Sequence, residues 1–184
     1  MLSATIKLLC LLSCLLLIGC SEQSNNKVLR VSHNLNVDHS VHRSIDFMAE
    51  RSNGTLTVKI YPNSQLGSER EMVELLQIGS LAMAKVSAAA LEGFVPEMKL
   101  FSVPYIFRSR SHRWQVLQGE VGQQILESTK KAHIFGLGYF DAGSRSFYTC
   151  DSMVTSPADL IGKKIRVMKS QTAVRMVGAF GGSA

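Results

Sequence analysis

Four side chains in this 184-residue sequence have the chemistry to hold a small acid. Arg166 lies between Ile165 and Val167, inside an apolar run, and Arg145 follows Ala142-Gly143-Ser144 at the start of a strand pattern. A guanidinium is planar and permanently charged. It offers two parallel N–H bonds in the geometry of a carboxylate, which a lysine ammonium cannot do. Glu69 opens a helix pattern and His39 follows the first strand pattern, where either could meet a ligand hydroxyl. Each position also has a purely structural reading. Lys164 lies on the same side as Arg166, as on the solvent face of an alternating strand, and on spacing alone the two readings are level. Glu69 and Glu71 stand where a helix N-terminus favours negative charge anyway. His33, His39 and His42 space as HxxxxxHxxH, which matches no helical or strand geometry for a metal. They suit capping and surface exposure, and no metal is expected. Tyr105 and Phe107, after Pro104, fit a cleft wall or core packing equally.

No set of residues converges on catalysis. GxSxG, a Walker loop, HExxH and zinc spacing are all missing, and the GxG at 136–138 lies in a strand pattern too short to suggest a nucleotide. A binding protein without enzymatic activity or cofactor is the expectation.

The elements that must position these residues alternate between strand and helix. Strand patterns cover 27–32 (KVLRVS), 55–60 (TLTVKI, strictly alternating) and 81–87 (LAMAKVS). Further strand patterns cover 134–140 (IFGLGYF), 144–149 (SRSFYT) and 163–168 (KKIRVM). Between the first two, Val41, Ile45 and Met48 repeat at helical spacing, with Asp38 or Ser40 as the cap and Asn53-Gly54 as the stop. Strand, helix and strand within about 34 residues is the size of a βαβ unit. Ser68-Glu69-Arg70-Glu71 is a capping box for a second helix with Met72, Leu75 and Leu76 on its apolar stripe. Short helices are predicted over 88–94, 111–119, 121–131 and 170–180, and one starts at Ser156-Pro157. The stretch 96–110, broken by Pro96 and Pro104, reads as irregular. This alternation indicates an α/β fold, a sheet covered by helices.

Residues 1–19 read as a lipoprotein signal peptide. Lys7 supplies the charge and 8–18 an apolar core of eleven residues, too short for a helix that spans a bilayer, which needs about 20. Leu17-Ile18-Gly19-Cys20 resembles a lipobox, which implies lipidation of Cys20. The polar stretch 20–27 is then a flexible tether. Ser21 leans towards the outer membrane, and an ordinary cleaved signal is the alternative. Of four cysteines only Cys150 lies beyond this segment, so no internal disulfide is expected. With 18% charged and 46% hydrophobic residues the composition is that of a globular protein. The net charge of +6 is spread out, which argues for a solvated surface rather than a nucleic-acid patch.

Six strings in order then carry a family resemblance: 52–56 (SNGTL), 58–62 (VKIYP), 65–71 (QLGSERE), 103–107 (VPYIF), Arg145, and 157–167 (PADLIGKKIRV). Together they resemble the DctP-type solute receptors of TRAP transporters, from about residue 28 to the last residue. The resemblance implies a periplasmic-binding-protein-like fold of two α/β lobes around a cleft. Residues 28–135 would form the first lobe, and 136–184 the start of a second, incomplete lobe. It implies a periplasmic receptor that closes on a small organic acid, such as a C4-dicarboxylate, sugar acid, sialic acid or keto acid. Delivery would be to TRAP membrane permease subunits. Arg166 matches the family arginine that pairs with the ligand carboxylate, and Arg145 the second cleft arginine. Asp141-Ala142-Gly143-Ser144 replaces the Asn-Gly common before that second arginine. The alternatives are a sensor for a membrane signalling partner and a non-functional truncated remnant.

Overall fold

The computed structural model describes residues 28–141, 143–150 and 152–184. The signal peptide, Cys20 and the tether expected over 1–27 lie outside the described residues.

Three parallel strands form the sheet: β1 (Val28–His33), β2 (Thr57–Tyr61) and β3 (Met83–Lys85), in the order β2-β1-β3. Val31 pairs with Ile60 on one side and Met83 on the other. Helix α1 (Ser40–Glu50) crosses from β1 to β2, which completes the expected βαβ unit. Its apolar stripe, Val41 and Ile45, packs with Val31 against Leu29, Leu35, Val58, Ile60 and Met83. Each fully buried valine or isoleucine contributes about 1.5–3 kcal/mol. Because β1 is the central strand, its last three residues, Val31, Ser32 and His33, are all buried. The polar two are satisfied: Ser32 Oγ donates to the Tyr61 carbonyl at 3.1 Å, and His33 bonds to His42. The cap of α1 is His39, not Asp38 or Ser40; its Nδ1 accepts the Val41 N–H at 3.2 Å.

Helix α2 (Glu69–Gln77) opens with the predicted capping box. Ser68 N–H donates to Glu71 Oε2 at 2.6 Å, and Glu71 N–H to Ser68 Oγ at 3.5 Å. Gly67 is needed to enter this turn. Its φ is +99°, and a Cβ there would lie 2.6 Å from Glu71 Oε2. Helix α3 (Ala88–Leu91) follows β3. The stretch expected to be irregular contains a 3-10 helix, Pro96–Ser102, which proline at its first turn permits. Helices α4 (Arg110–Gln118) and α5 (Glu120–Ser128) form a pair, extended by a 3-10 turn, Thr129–Ala132. Val73 of α2, Leu91, Val95, Met98, Ile125 and Ala132 make the second core cluster.

The strands expected over 134–140, 144–149 and 163–168 form no ladder among the described residues. In 134–140 the cause is local. Gly136 lies so close to α5 that a Cβ would sit 2.6 Å from the Leu126 side chain. Its N–H is taken by Thr129 Oγ1 at 2.8 Å, and the Tyr139 hydroxyl donates to the Gly122 carbonyl at 2.8 Å. The segment is therefore bound to a helix, and two glycines weaken it as a strand. Residues 144–149 have strand composition, but a strand needs a neighbour, and no described residue pairs with them. Residues 163–168 achieve one parallel bridge, Lys164 to Ser183. Ser156-Pro157 starts a 3-10 helix, Pro157–Leu160, rather than an α-helix. Backbone and hydroxyl donors of Thr155 and Ser156 converge on Asp159 and hold its carboxyl down at about 2. The last helix, α6 (Gln171–Ala179), is capped by Ser170. Among the described residues no helix is long and apolar enough to cross a membrane.

Candidate functional site at the carboxyl ends of the strands

In parallel α/β sheets ligands meet the carboxyl ends of the strands. Here β1 ends at His33-Asn34, β3 ends at Lys85, and the start of α2 brings Glu69 beside them. The Glu69 carboxylate is buried. It accepts the Ser87 backbone N–H at 2.9 Å and the Ser87 hydroxyl, and lies 3.6 Å from Lys85 Nζ. Lys85 Nζ also donates to Asn34 Oδ1 at 3.1 Å, which joins β3 to the end of β1. Sequence reasoning missed Lys85. The signal was a lysine inside a short, otherwise apolar strand pattern.

The histidines do not form a metal cluster among the described residues. They form a directed chain instead. The Leu35 N–H donates to His33 Nδ1 at 3.2 Å, so that nitrogen carries no proton. His33 Nε2–H must then donate to His42 Nδ1 at 2.9 Å, and His42 Nε2–H to Asp46 at 3.1 Å. His33 is fully buried, which corrects the expected surface exposure. Burial and the neighbouring His42 push its pKa below the usual histidine value. His39 caps α1 and is half-buried.

The segment carrying Arg166 runs past this cluster. Met168 Sδ lies 3.8 Å from the Ser87 hydroxyl that bonds Glu69. Exposure alternates from Lys163 to Val167, as in an extended chain, where residues two apart share a side. Arg166 is exposed and has no hydrogen-bond or ion-pair partner among the described residues. The segment is anchored just beyond, at Glu92. Burial raises the pKa of that carboxyl, but hydrogen bonds from Ser102, Ser170 and Thr172 outweigh it and bring the net value below the usual glutamate range. Ser170 Oγ donates at 2.8 Å, so the start of α6 rests on a buried carboxylate.

Arg145 is also exposed and unpartnered among the described residues, and no hydrogen bond or ion pair joins it to Glu69, Lys85 or Arg166. The turn before it is fixed to α4. Asp141 Oδ1 accepts the Gly143 N–H at 2.8 Å and pairs with Arg113 at 2.5 Å, while Oδ2 pairs with Arg110 at 3.0 Å. The Gly143 N–H and both arginines hold Asp141 below the usual carboxylate range. Phe107 stacks on Phe101, whereas Tyr105 is exposed with a left-handed backbone at φ +58°. A shallow depression between α5 and the 96–102 helix is a weaker candidate. Its charges are spent on each other, Lys131 with Glu97 at 2.6 Å and Lys130 with Glu127 at 2.5 Å.

Among the described residues the parallel sheet thus carries a charged cluster at its strand ends, and Arg166 lies exposed on the segment that passes it. The chain belongs to family 7 of the bacterial extracellular solute-binding proteins, the DctP family, whose model matches residues 31–184. The protein YiiZ of Salmonella typhimurium is 38% identical over 135 residues, 73% of this chain and 41% of that one. A TRAP periplasmic solute-binding protein from Bradyrhizobium, in complex with D-galacturonate, is 37% identical with a TM-score of 0.79. That match covers 85% of this chain and 54% of that one. Another from Sulfurospirillum deleyianum, with bound succinate, is 31% identical with a TM-score of 0.81, over 86% and 52%. The chain thus spans about half the length of the solved relatives it matches and about two fifths of YiiZ.

Proposed function

We propose that this protein is an extracytoplasmic receptor that binds a small organic acid and delivers it to a TRAP-type membrane transporter. The observation that carries the reading is Arg166: an exposed guanidinium without a partner among the described residues, on a segment whose Met168 rests on Ser87 beside Glu69. Arg166 forms the bidentate bond to the ligand carboxylate. Arg145 supplies the second positive charge, and Glu69 and His39 face the remainder of the ligand. The solved relatives that hold galacturonate and succinate support an acid as ligand. Residues 28–135 form one wall of the cleft, and 136–184 begin the other. Cys20 carries a lipid that tethers the receptor at the membrane, with the outer membrane favoured.

A thermal-shift screen of organic acids on the full-length protein tests the reading. At least one organic acid is expected to raise the melting temperature, and its amide is not. Equal shifts with acids and amides would remove the role given to the arginines. Mass spectrometry of the native N-terminus checks the lipid: a diacylated Cys20 is expected, and an unmodified residue there rules it out.

A further inference from the structure

The cluster at the end of β3 bears on which acid is bound. Lys85 is a desolvated ammonium, with only 11% of its side chain exposed. An ammonium has three N–H donors. Among the described residues only one is used in a hydrogen bond, to Asn34 Oδ1 at 3.1 Å. The contact with Glu69 Oε1, at 3.6 Å, is an ion pair too long for a hydrogen bond. Among the described residues Glu69 accepts two bonds, both from Ser87, of the roughly four its carboxylate can take. Donor and acceptor capacity are therefore both left over, across a gap that one oxygen can bridge.

We infer that Lys85 and Glu69 together form a hydroxyl-reading pair and that the ligand is a polyhydroxylated monocarboxylate, a sugar acid, rather than a dicarboxylate. This inference rests on the acid-receptor reading above. A hydroxyl group accepts from Lys85 and donates to Glu69 at once, and Asn34 offers its amide to a neighbouring hydroxyl. A second carboxylate has no proton to give Glu69. It would gain from Lys85 and lose to Glu69 at similar range, because the pair is neutral as a unit. The ligand's one charge is then left to the arginines, Arg166 above all.

The distinction has a size. A site built to hydrogen-bond a substrate hydroxyl rejects an analogue that lacks it by up to about 10⁴-fold. The test is titration calorimetry of the full-length protein with D-galacturonate, D-gluconate and succinate. One of the two sugar acids is expected to bind at least about 100-fold tighter than succinate. Lys85→Met and Glu69→Gln are each expected to reduce that ratio at least tenfold, with circular dichroism to confirm the fold. Succinate binding as tightly as the better sugar acid overturns this inference and leaves the acid receptor standing. An undiminished ratio in folded Lys85→Met overturns the assignment to this pair. Binding of none of the three acids overturns the acid-receptor reading, and this inference with it. The wild-type ratio requires no variant, so failure of a substituted chain to fold does not shield the inference.

Discussion

Replacement of Glu92 by alanine is expected to loosen the whole Arg166 segment, although Glu92 touches no part of the proposed ligand site. The side chain is only 5% exposed and has no cationic partner among the described residues. Its charge is compensated by hydroxyl and backbone donors from Ser102, Ser170 and Thr172. A hydrogen bond to a charged group contributes roughly 1.5–3 kcal/mol, and bonds to one carboxylate are not additive. Glu92→Ala removes all of them and leaves the start of α6 without its acceptor, so a loss of about 3 kcal/mol is expected. For a chain of this length that corresponds to about 6–12 °C in melting temperature. Glu92→Gln keeps one carbonyl acceptor and should lose about half as much. Urea denaturation followed by circular dichroism measures both. The pH profile gives a second check. The folded pKa is depressed, so the contribution is present above the ordinary glutamate value and lost as pH falls through the depressed one. The acid limb should flatten in Glu92→Gln. A loss below about 1 kcal/mol in Glu92→Ala would show that the carboxylate does not hold the segment.

Three further outcomes follow from contacts already described. Ser68→Ala removes the cap of α2 and should cost about 1 kcal/mol in urea denaturation, most of it already lost in a Glu71→Ala background because the two side chains form one box. The His33 chain adds an acid-sensitive element. Its folded pKa is lowered, so its contribution is present above the unfolded histidine value and lost as pH falls through the depressed value. His42, Asp46 and Lys85 are the charged or titratable groups that act on it, and NMR titration of the ring protons should show His33 titrating below the ordinary histidine value. Asp141→Asn should release Arg110 and Arg113 from the turn before Arg145 and weaken ligand binding through a larger dissociation rate, which stopped-flow fluorescence can follow.

Where a pattern and its partner lie close together in the sequence, the fold was legible. The βαβ unit followed from helical spacing at Val41 and Ile45 between two strand patterns, and the α2 capping box from four residues. The pairings that depend on distant chain were not. Residues 144–149 read as a strand by composition, but strands are made by neighbours. Residues 134–140 were misread because Gly136 works as a close-approach residue against Leu126, a role no alternation pattern reveals. In the candidate site, arginines announced themselves by chemistry, and Glu69 by its place in the capping box. Lys85 and Glu92 were overlooked, and His33 was read as a capping or exposed residue, because each looks like an ordinary polar residue in the sequence. Their importance comes from burial, which brings Lys85 to Asn34, His33 to His42 and Glu92 to Ser170 over separations of 9 to 78 residues.

Calorimetry of Arg166→Ala with the acid that binds the wild-type protein most tightly tests the receptor most directly. Loss of a bidentate carboxylate bond should cost about 3 kcal/mol or more, on the order of 100-fold in affinity or beyond. Arg166→Lys should recover only part of it, because an ammonium cannot match the planar fork. An affinity unchanged by Arg166→Ala would contradict the account.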